Sequence, residues 1–315
     1  MSINKLSSNN IVVPADVPKS KHKDYLNNYL ELTKNTGRIM LFAGDQKIEH
    51  LNDDFYDGHD KISAEDGDPE HLFKIAGGSP ISCLAVQPGL AAKYGLDYPS
   101  VPLLIKMNSK THLVSKEQSD PLSQATATID QILELKANGL NILAIGYTLY
   151  LGSEYEDQML AEAARIIYNA HKNGLITVLW IYPRGKAVAD EKDSHLIAGA
   201  TGVACTLGSD FVKVNYPKKE GQKSEEIFKE AVQAAGRTGV ICAGGSSTDP
   251  KEFLDRLNKQ ITVSGAVGNA TGRNIHQKPL AEAINFCKAI ASVTFANTDV
   301  ETAYKIYQGK EDFSI

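Results

Sequence analysis

The run Phe211-Val212-Lys213-Val214-Asn215-Tyr216 places an amine inside a segment whose β-branched and aromatic residues specify a strand of a packed core. With two-residue periodicity, Val212, Val214 and Tyr216 share one face, and Phe211, Lys213 and Asn215 share the other. An amine in a part-apolar cavity gives up its proton more readily than one in water. Lowering a lysine from about 10.4 to about 7 or 8 takes roughly 3 to 5 kcal/mol, which burial or a second cation can supply. A lysine so held can attack a carbonyl. The competing reading is an edge-strand lysine that snorkels to water, and it weakens if the strand is central in a parallel sheet.

Groups that could serve such a nucleophile stand after other apolar runs. The first run passes abruptly into Gly44-Asp45-Gln46-Lys47-Ile48-Glu49-His50, and Asp45 has the parity of Leu41 and Ala43, which turns it inward. Otherwise it is a turn or N-cap aspartate. In Trp180-Ile181-Tyr182-Pro183-Arg184-Gly185, Trp180 and Tyr182 share a face. The phenol suits proton transfer, Arg184 suits an anionic oxygen, and Trp180 is either a pocket wall or a core filler. Lys106, within Leu103-Leu104-Ile105-Lys106-Met107, is a second lysine in an apolar strand. It could depress Lys213, bind substrate oxygens, or pair with a carboxylate at the mouth of the fold. Two glycine runs complete the set, Ala243-Gly244-Gly245-Ser246-Ser247 and Gly265 to Gly272 followed by Arg273. Glycine lets backbone N–H groups approach an anion, although Gly-Gly-Ser alone is also an ordinary turn.

Positioning these residues requires a scaffold of alternating strands and helices. Eight apolar runs qualify as strands: Ile39 to Ala43, Ile81 to Val86, Leu103 to Met107, Ile142 to Gly146, Ile176 to Tyr182, Phe211 to Tyr216, Val240 to Ala243 and Thr262 to Val267. Segments of helical period lie between the later ones, including Ser123 to Asn138, Glu156 to Lys172, Ser224 to Arg237 and Pro250 to Leu257. The pattern predicts an α/β fold, a (β/α)8 TIM barrel, whose site lies at the carboxyl ends of the strands and whose phosphate site lies after strands seven and eight. We assign residues 38–315 to a single barrel and residues 1–37 to an N-terminal helical extension. There Tyr25, Leu26, Tyr29, Leu30 and Leu32 recur at near-helical spacing, as a cover for the barrel bottom or a subunit contact.

Composition bounds the function. The 315 residues are 42% hydrophobic and 23% charged, with a formal net charge of -5, so the basic stripe of a nucleic-acid binder is not expected. No apolar stretch is long enough for a membrane span or a secretion signal, which predicts a cytoplasmic protein. The four cysteines are far apart and lie among apolar residues, which predicts small core residues rather than a metal site or disulfide framework. The eight histidines show no metal-binding spacing, so no metal or cofactor is expected.

From about Arg38 to Gln277 the chain resembles the archaeal-type class I fructose 1,6-bisphosphate aldolases and their deoxyribose phosphate aldolase relatives. The resemblance rests on Phe42 to His50, Trp180 to Gly185, Phe211 to Pro217, Ala243 to Ser246 and Gly272 to Ile275. It implies that Lys213 is the Schiff-base lysine, Tyr182 the proton shuttle, Asp45 an orienting or proton-sharing group, and Trp180 a pocket wall. It also implies that His50 and Arg184 hold the distal phosphate, while Gly244, Gly245, Ser246, Gly272 and Arg273 form the loops around the phosphate next to the ketone. The chain departs from the family pattern at Gln46-Lys47, where many members read His-Gly, and at Ala243, where many have serine. A sugar-phosphate substrate and a ring-shaped homo-oligomer are implied too. Two rival readings keep the fold. One is a related transaldolase-type synthase making a seven-carbon precursor of aromatic amino acids, and the other a non-catalytic phosphosugar-binding barrel.

Overall fold

The computed structural model describes residues 5–58, 61–114 and 120–315. Eight parallel strands close into a barrel in sequence order: β1 (Ile39–Ala43), β2 (Cys83–Val86), β3 (Leu103–Lys106), β4 (Ile142–Leu151), β5 (Ile176–Pro183), β6 (Phe211–Val214), β7 (Gly239–Ala243) and β8 (Gly268–Thr271). Between and around them lie α1 (His22–Leu32), α2 (Gln46–Glu49), α3 (Glu70–Gly77), α4 (Pro88–Tyr94), α5 (Ile129–Ala137), α6 (Glu156–Lys172), α7 (Ser194–Leu207), α8 (Ser224–Ile227), α9 (Lys229–Ala234), α10 (Pro250–Thr262), α11 (Arg273–His276), α12 (Leu280–Ala296) and α13 (Val300–Tyr307). Among the described residues no helix is long and apolar enough to cross a membrane.

Strand alternation divides the core in two. Leu41, Ala43, Leu104, Val178, Trp180, Phe211 and Ile241 fill the barrel, whereas Phe42, Ile105, Leu179, Ile181, Val212 and Val214 pack outward against the helices. The inward parity expected for Lys213, Asp45 and Trp180 therefore follows from their neighbours in the same strands, and Lys106 shares the inward parity of Leu104. Helix starts are fixed locally. Thr128 caps α5 in a reciprocal box with Gln131, Asp193 accepts the His195 and Leu196 N–H groups at α7, and Asp249 accepts those of Lys251 and Glu252 at α10.

Several features differ from the sequence reading. The eighth strand is not Thr262 to Val267: Thr262 ends α10, and β8 is the short Gly-Asn-Ala-Thr run that follows. A Cβ on Gly268 would lie 1.8 Å from the Ile39 carbonyl oxygen, so the chain crosses β1 there at a distance only glycine permits. The helix expected from Ser123 starts at Ile129, and that expected over Ser224 to Arg237 breaks into α8 and α9. Cys205 is exposed, unlike the buried Cys83, Cys242 and Cys287, because its position on α7 faces away from the sheet.

The N-terminal extension covers the bottom of the barrel through buried polar contacts. Tyr25 of α1 donates to Asp210 Oδ1 (2.5 Å), and Tyr29 stacks on Phe211. Asp210 Oδ2 also accepts from the Thr177 N–H and hydroxyl, while His171 lies between Asp210 (3.0 Å) and Asp16 (2.9 Å). Burial alone would depress His171, but the hydrogen bonds and charges of Asp210 and Asp16 outweigh it and push the ring up to about 9. A raised histidine stabilises the fold fully below its unfolded value near 6.5, and the contribution is lost as pH rises through about 9. The Tm should therefore fall from pH 6.5 to 9.5 more steeply in the native chain than in His171→Gln. Equal slopes in a thermal scan would contradict this account.

Candidate active site

A cavity of about 370 Å3 opens at the carboxyl ends of the strands. Its walls include Asp45, His50, Tyr182, Arg184, Lys213, Gly244, Gly245, Ser246, Gly272 and Arg273. Trp180 and Lys106 lie just beneath, both almost fully buried. Each residue named from the sequence as a catalytic or substrate-binding candidate is thus in the cavity wall or directly behind it.

Lys213 is 6% exposed, and its amine lies 5.2 Å from the centre of the Trp180 ring, with the Lys106 amine 5.0 Å from the same ring. Burial lowers the Lys213 amine below the ordinary lysine value. Asp45 and Glu49 oppose this, while the charges of Lys106 and Arg273 add to it. Lys106 stands 3.5 Å from Asp45 and 3.8 Å from Glu49 and donates to the Asn108 carbonyl at 3.2 Å. It therefore pairs with carboxylates and bears on Lys213 at once. Asp45 precedes α2 in the N-cap position but makes no capping hydrogen bond, and its carboxylate turns to Lys106 instead.

Trp180 is fixed by what lies opposite. A Cβ on Gly146 would come within 2.4 Å of the indole Cζ3 and 2.8 Å of the Leu104 Cδ2, so the ring lies against bare backbone of β4. Gly146→Ala should displace the indole and cost roughly 1 to 3 kcal/mol through overpacking. Denaturant unfolding measures the loss, and a variant as stable as the native chain would rule out this packing.

The phenol of Tyr182 is driven well above its ordinary value by burial and by the charges of Glu49 and Asp45, against the pull of Arg184. Arg184 lies over the Tyr182 ring at 5.3 Å and the Tyr150 ring at 5.5 Å, and it forms two 2.9 Å hydrogen bonds to Glu191. His50 Nδ1 meets Asp54 at 2.5 Å, and Arg273 Nε lies 3.6 Å from the same Asp54 oxygen. Although burial raises the Asp54 carboxyl, His50 and Arg273 together hold it below the usual range. His50 and Arg273 therefore belong to one wall and share a carboxylate, while Arg184 stands on the wall of β5.

The glycine loops after β7 and β8 are tied together by Asn274, which donates to the carbonyls of Ser246 (3.0 Å) and Gly244 (3.4 Å) and accepts from the Thr248 N–H. A Cβ on Gly272 would lie 2.1 Å from Gln46 Oε1 and 2.7 Å from the Ala43 carbonyl oxygen, so β1 and the second loop touch where no side chain fits. These loops, with Arg273, form a concave edge suited to an anion.

Sequence reasoning passed over Glu49, Asp54 and Glu191. Two carried a usable signal: Glu49 is four residues after Asp45, and Asp54 four after His50, the spacing that puts side chains on one helical face. Glu191 reaches Arg184 from a loop and carried no such signal.

The family model described as DeoC/LacD family aldolase matches residues 39–278. A Methanocaldococcus jannaschii protein called "Fructose-bisphosphate aldolase/6-deoxy-5-ketofructose 1-phosphate synthase" is 56% identical over 308 residues, which is 98% of this chain and 97% of that one. The solved fructose-bisphosphate aldolase from Slackia heliotrinireducens superposes with a TM-score of 0.96 at 53% identity, covering 99% of this chain and 98% of that one. An archaeal fructose-1,6-bisphosphate aldolase, solved with its catalytic lysine covalently bound to the carbinolamine intermediate of the substrate, gives a TM-score of 0.73 at 32% identity over 85% of this chain and 98% of its own. A buried amine in the mouth of an eight-stranded barrel and a family match over most of that barrel lead to one conclusion: the chain belongs to the DeoC/LacD family of aldolases and is a carbon–carbon lyase.

Proposed function

We propose that this protein is a class I fructose 1,6-bisphosphate aldolase with Lys213 as its Schiff-base lysine. The observation that carries this reading is an amine depressed by burial in the same cavity as the two glycine loops and Arg273. In the cleavage direction the neutral amine adds to the ketone carbon of the sugar, and the carbinolamine loses water with Tyr182 supplying the proton. The resulting iminium draws electrons from the bond between the third and fourth carbons. As that bond breaks, the hydroxyl on the fourth carbon loses its proton, glyceraldehyde 3-phosphate departs, and an enamine remains on Lys213. Protonation and hydrolysis then release dihydroxyacetone phosphate and restore the amine. Asp45 orients the cationic groups, Trp180 walls the pocket, the glycine loops and Arg273 hold the phosphate next to the ketone, and His50 and Arg184 take the remaining oxygens, while Lys106, buried beneath the cavity, acts on Lys213 through its charge. The family resemblance also supports a ring-shaped homo-oligomer, whose mass light scattering would measure.

A second reading concerns the enamine. The name of the Methanocaldococcus jannaschii relative includes 6-deoxy-5-ketofructose 1-phosphate synthase. Disconnecting that product between its third and fourth carbons gives dihydroxyacetone phosphate and 2-oxopropanal. The same Lys213 enamine could thus add to a different aldehyde without any new catalytic group. Incubation with fructose 1,6-bisphosphate, with and without 2-oxopropanal, separates the two activities by product analysis. Triose phosphates alone indicate the aldolase, and a deoxyketose phosphate adds the synthase. Borohydride reduction in the presence of dihydroxyacetone phosphate should fix the three-carbon phosphate on Lys213. No adduct would return the protein to the phosphosugar-binding alternative.

A further inference from the structure

A chain of polar side chains runs from the cavity into the interior behind the second glycine loop. Gln46 lines the cavity, and its Oε1 lies 3.2 Å from Nε2 of His276, whose Nδ1 lies 2.6 Å from Asp66 Oδ2. His276 and Asp66 are almost completely buried, and the imidazole stacks flat on Phe55 with centroids 4.7 Å apart. The Gln46 amide nitrogen makes no hydrogen bond to another described residue, so it remains for whatever occupies the cavity.

The inner pair decides which edge of the amide faces outward. Gln46 Oε1 can only accept, so its 3.2 Å approach to Nε2 requires a hydrogen on that nitrogen, which two states of the inner pair supply. Asp66 can be ionised beside an imidazolium, or neutral and donating to Nδ1. Both states make Nε2 a donor to Gln46 Oε1, which turns the NH2 group toward the cavity. Burial raises the Asp66 carboxyl against the pull of His276, His71 and Lys47. Gln46 also lies against Gly272, where a Cβ would meet its Oε1 at 2.1 Å. The free NH2 therefore stands beside the loop that carries Arg273.

We propose that Gln46 is a neutral hydrogen-bond donor to the phosphate of the ketone-bearing fragment, and that His276 and Asp66 are positioning residues that fix its amide in the donating orientation. This inference deepens the proposed function and rests on that reading of the glycine loops.

The test measures the ligand concentration that gives half-maximal borohydride-trapped adduct on Lys213, with dihydroxyacetone phosphate and, separately, with unphosphorylated dihydroxyacetone. Gln46→Ala should raise the value for the phosphate roughly ten- to hundredfold and that for dihydroxyacetone less than about threefold, as expected when one bond to a charged group is lost. His276→Ala and Asp66→Ala should shift the phosphate value alike, and the double variant Gln46→Ala/His276→Ala should be no weaker than Gln46→Ala alone. Asp66→Asn should recover most of the loss seen in Asp66→Ala, since its amide donates to Nδ1 and keeps the proton on Nε2. A Gln46→Ala variant that binds both ligands as the native chain does, or that weakens both equally, overturns the inference while leaving the Schiff base intact. Additive losses in the double variant overturn the positioning role. A native chain that yields no adduct with dihydroxyacetone phosphate takes down the proposed function itself, and the inference with it.

Discussion

Lys213→Met should lose turnover by on the order of 10^6-fold, the scale reached when a covalent nucleophile is removed, while folding at least as stably as the native chain. The two halves of this expectation share a cause. The folded amine sits below its unfolded value, so between those two values the unfolded chain holds more protons, and stability increases with pH across that window. At neutral pH, then, Lys213 weakens the fold. Methionine fills a similar volume without a charge to desolvate, so the substitution should raise the Tm at pH 7 and flatten its dependence on alkaline pH. Release of triose phosphates from fructose 1,6-bisphosphate measures the first half, and thermal scans at several pH values the second. The same variant distinguishes the two buried lysines. Lys106 has two carboxylates within 4 Å and does not line the cavity, so it should not take over the imine. Retained turnover, or a borohydride adduct that moves to Lys106, would sink the assignment of Lys213.

Alternation of side chains made the interior of the barrel readable before the fold was known. Leu41, Ala43 and Asp45 share parity, as do Phe211 and Lys213, and a strand covered on both faces keeps that parity over its whole length. The second glycine run was legible for a related reason: Gly268 and Gly272, where β8 and its loop nearly touch β1, admit no Cβ, so the requirement is written in the residue type. Strand β8 was not legible. Gly-Asn-Ala-Thr has little intrinsic preference for a strand, and its neighbours on β1 and β7 hold it there, whereas the apolar run just before it closes a helix and turns the corner under the barrel. The site was missed where contacts cross between elements. Glu49 and Asp54 could be reached by counting four residues from Asp45 and His50. Glu191 meets Arg184 within the irregular loop after β5, where no helix or strand period marks the spacing, and His276 meets Gln46 only because the barrel closes.

Tyr182→Phe should lower kcat by roughly 10^2- to 10^4-fold and leave KM for fructose 1,6-bisphosphate nearly unchanged, because it removes a proton-transfer group and little else. The ring would keep its place, with Tyr150 at 6.4 Å and the Arg184 guanidinium at 5.3 Å from its centre. The direction of the shift at this phenol defines its task. Burial and the charges of Glu49 and Asp45 keep the hydrogen on the oxygen, so Tyr182 is poised to donate to the departing hydroxyl of the carbinolamine rather than to begin as a base. Once it has donated, the phenolate is strongly basic in that setting, and it can recover a proton from the hydroxyl of the fourth carbon as the carbon–carbon bond breaks. One group thus serves both proton transfers on one face of the iminium. Trapping separates these steps. In Tyr182→Phe, borohydride should capture the adduct on Lys213 more slowly with dihydroxyacetone phosphate, since dehydration is impaired before any carbon–carbon bond is at stake. If the adduct forms at the native rate while cleavage is slow, Tyr182 acts only at bond cleavage and a carboxylate assists dehydration. If both run at native rates, the proton path goes through Asp45 or Glu49, two of the carboxylates that line the same cavity.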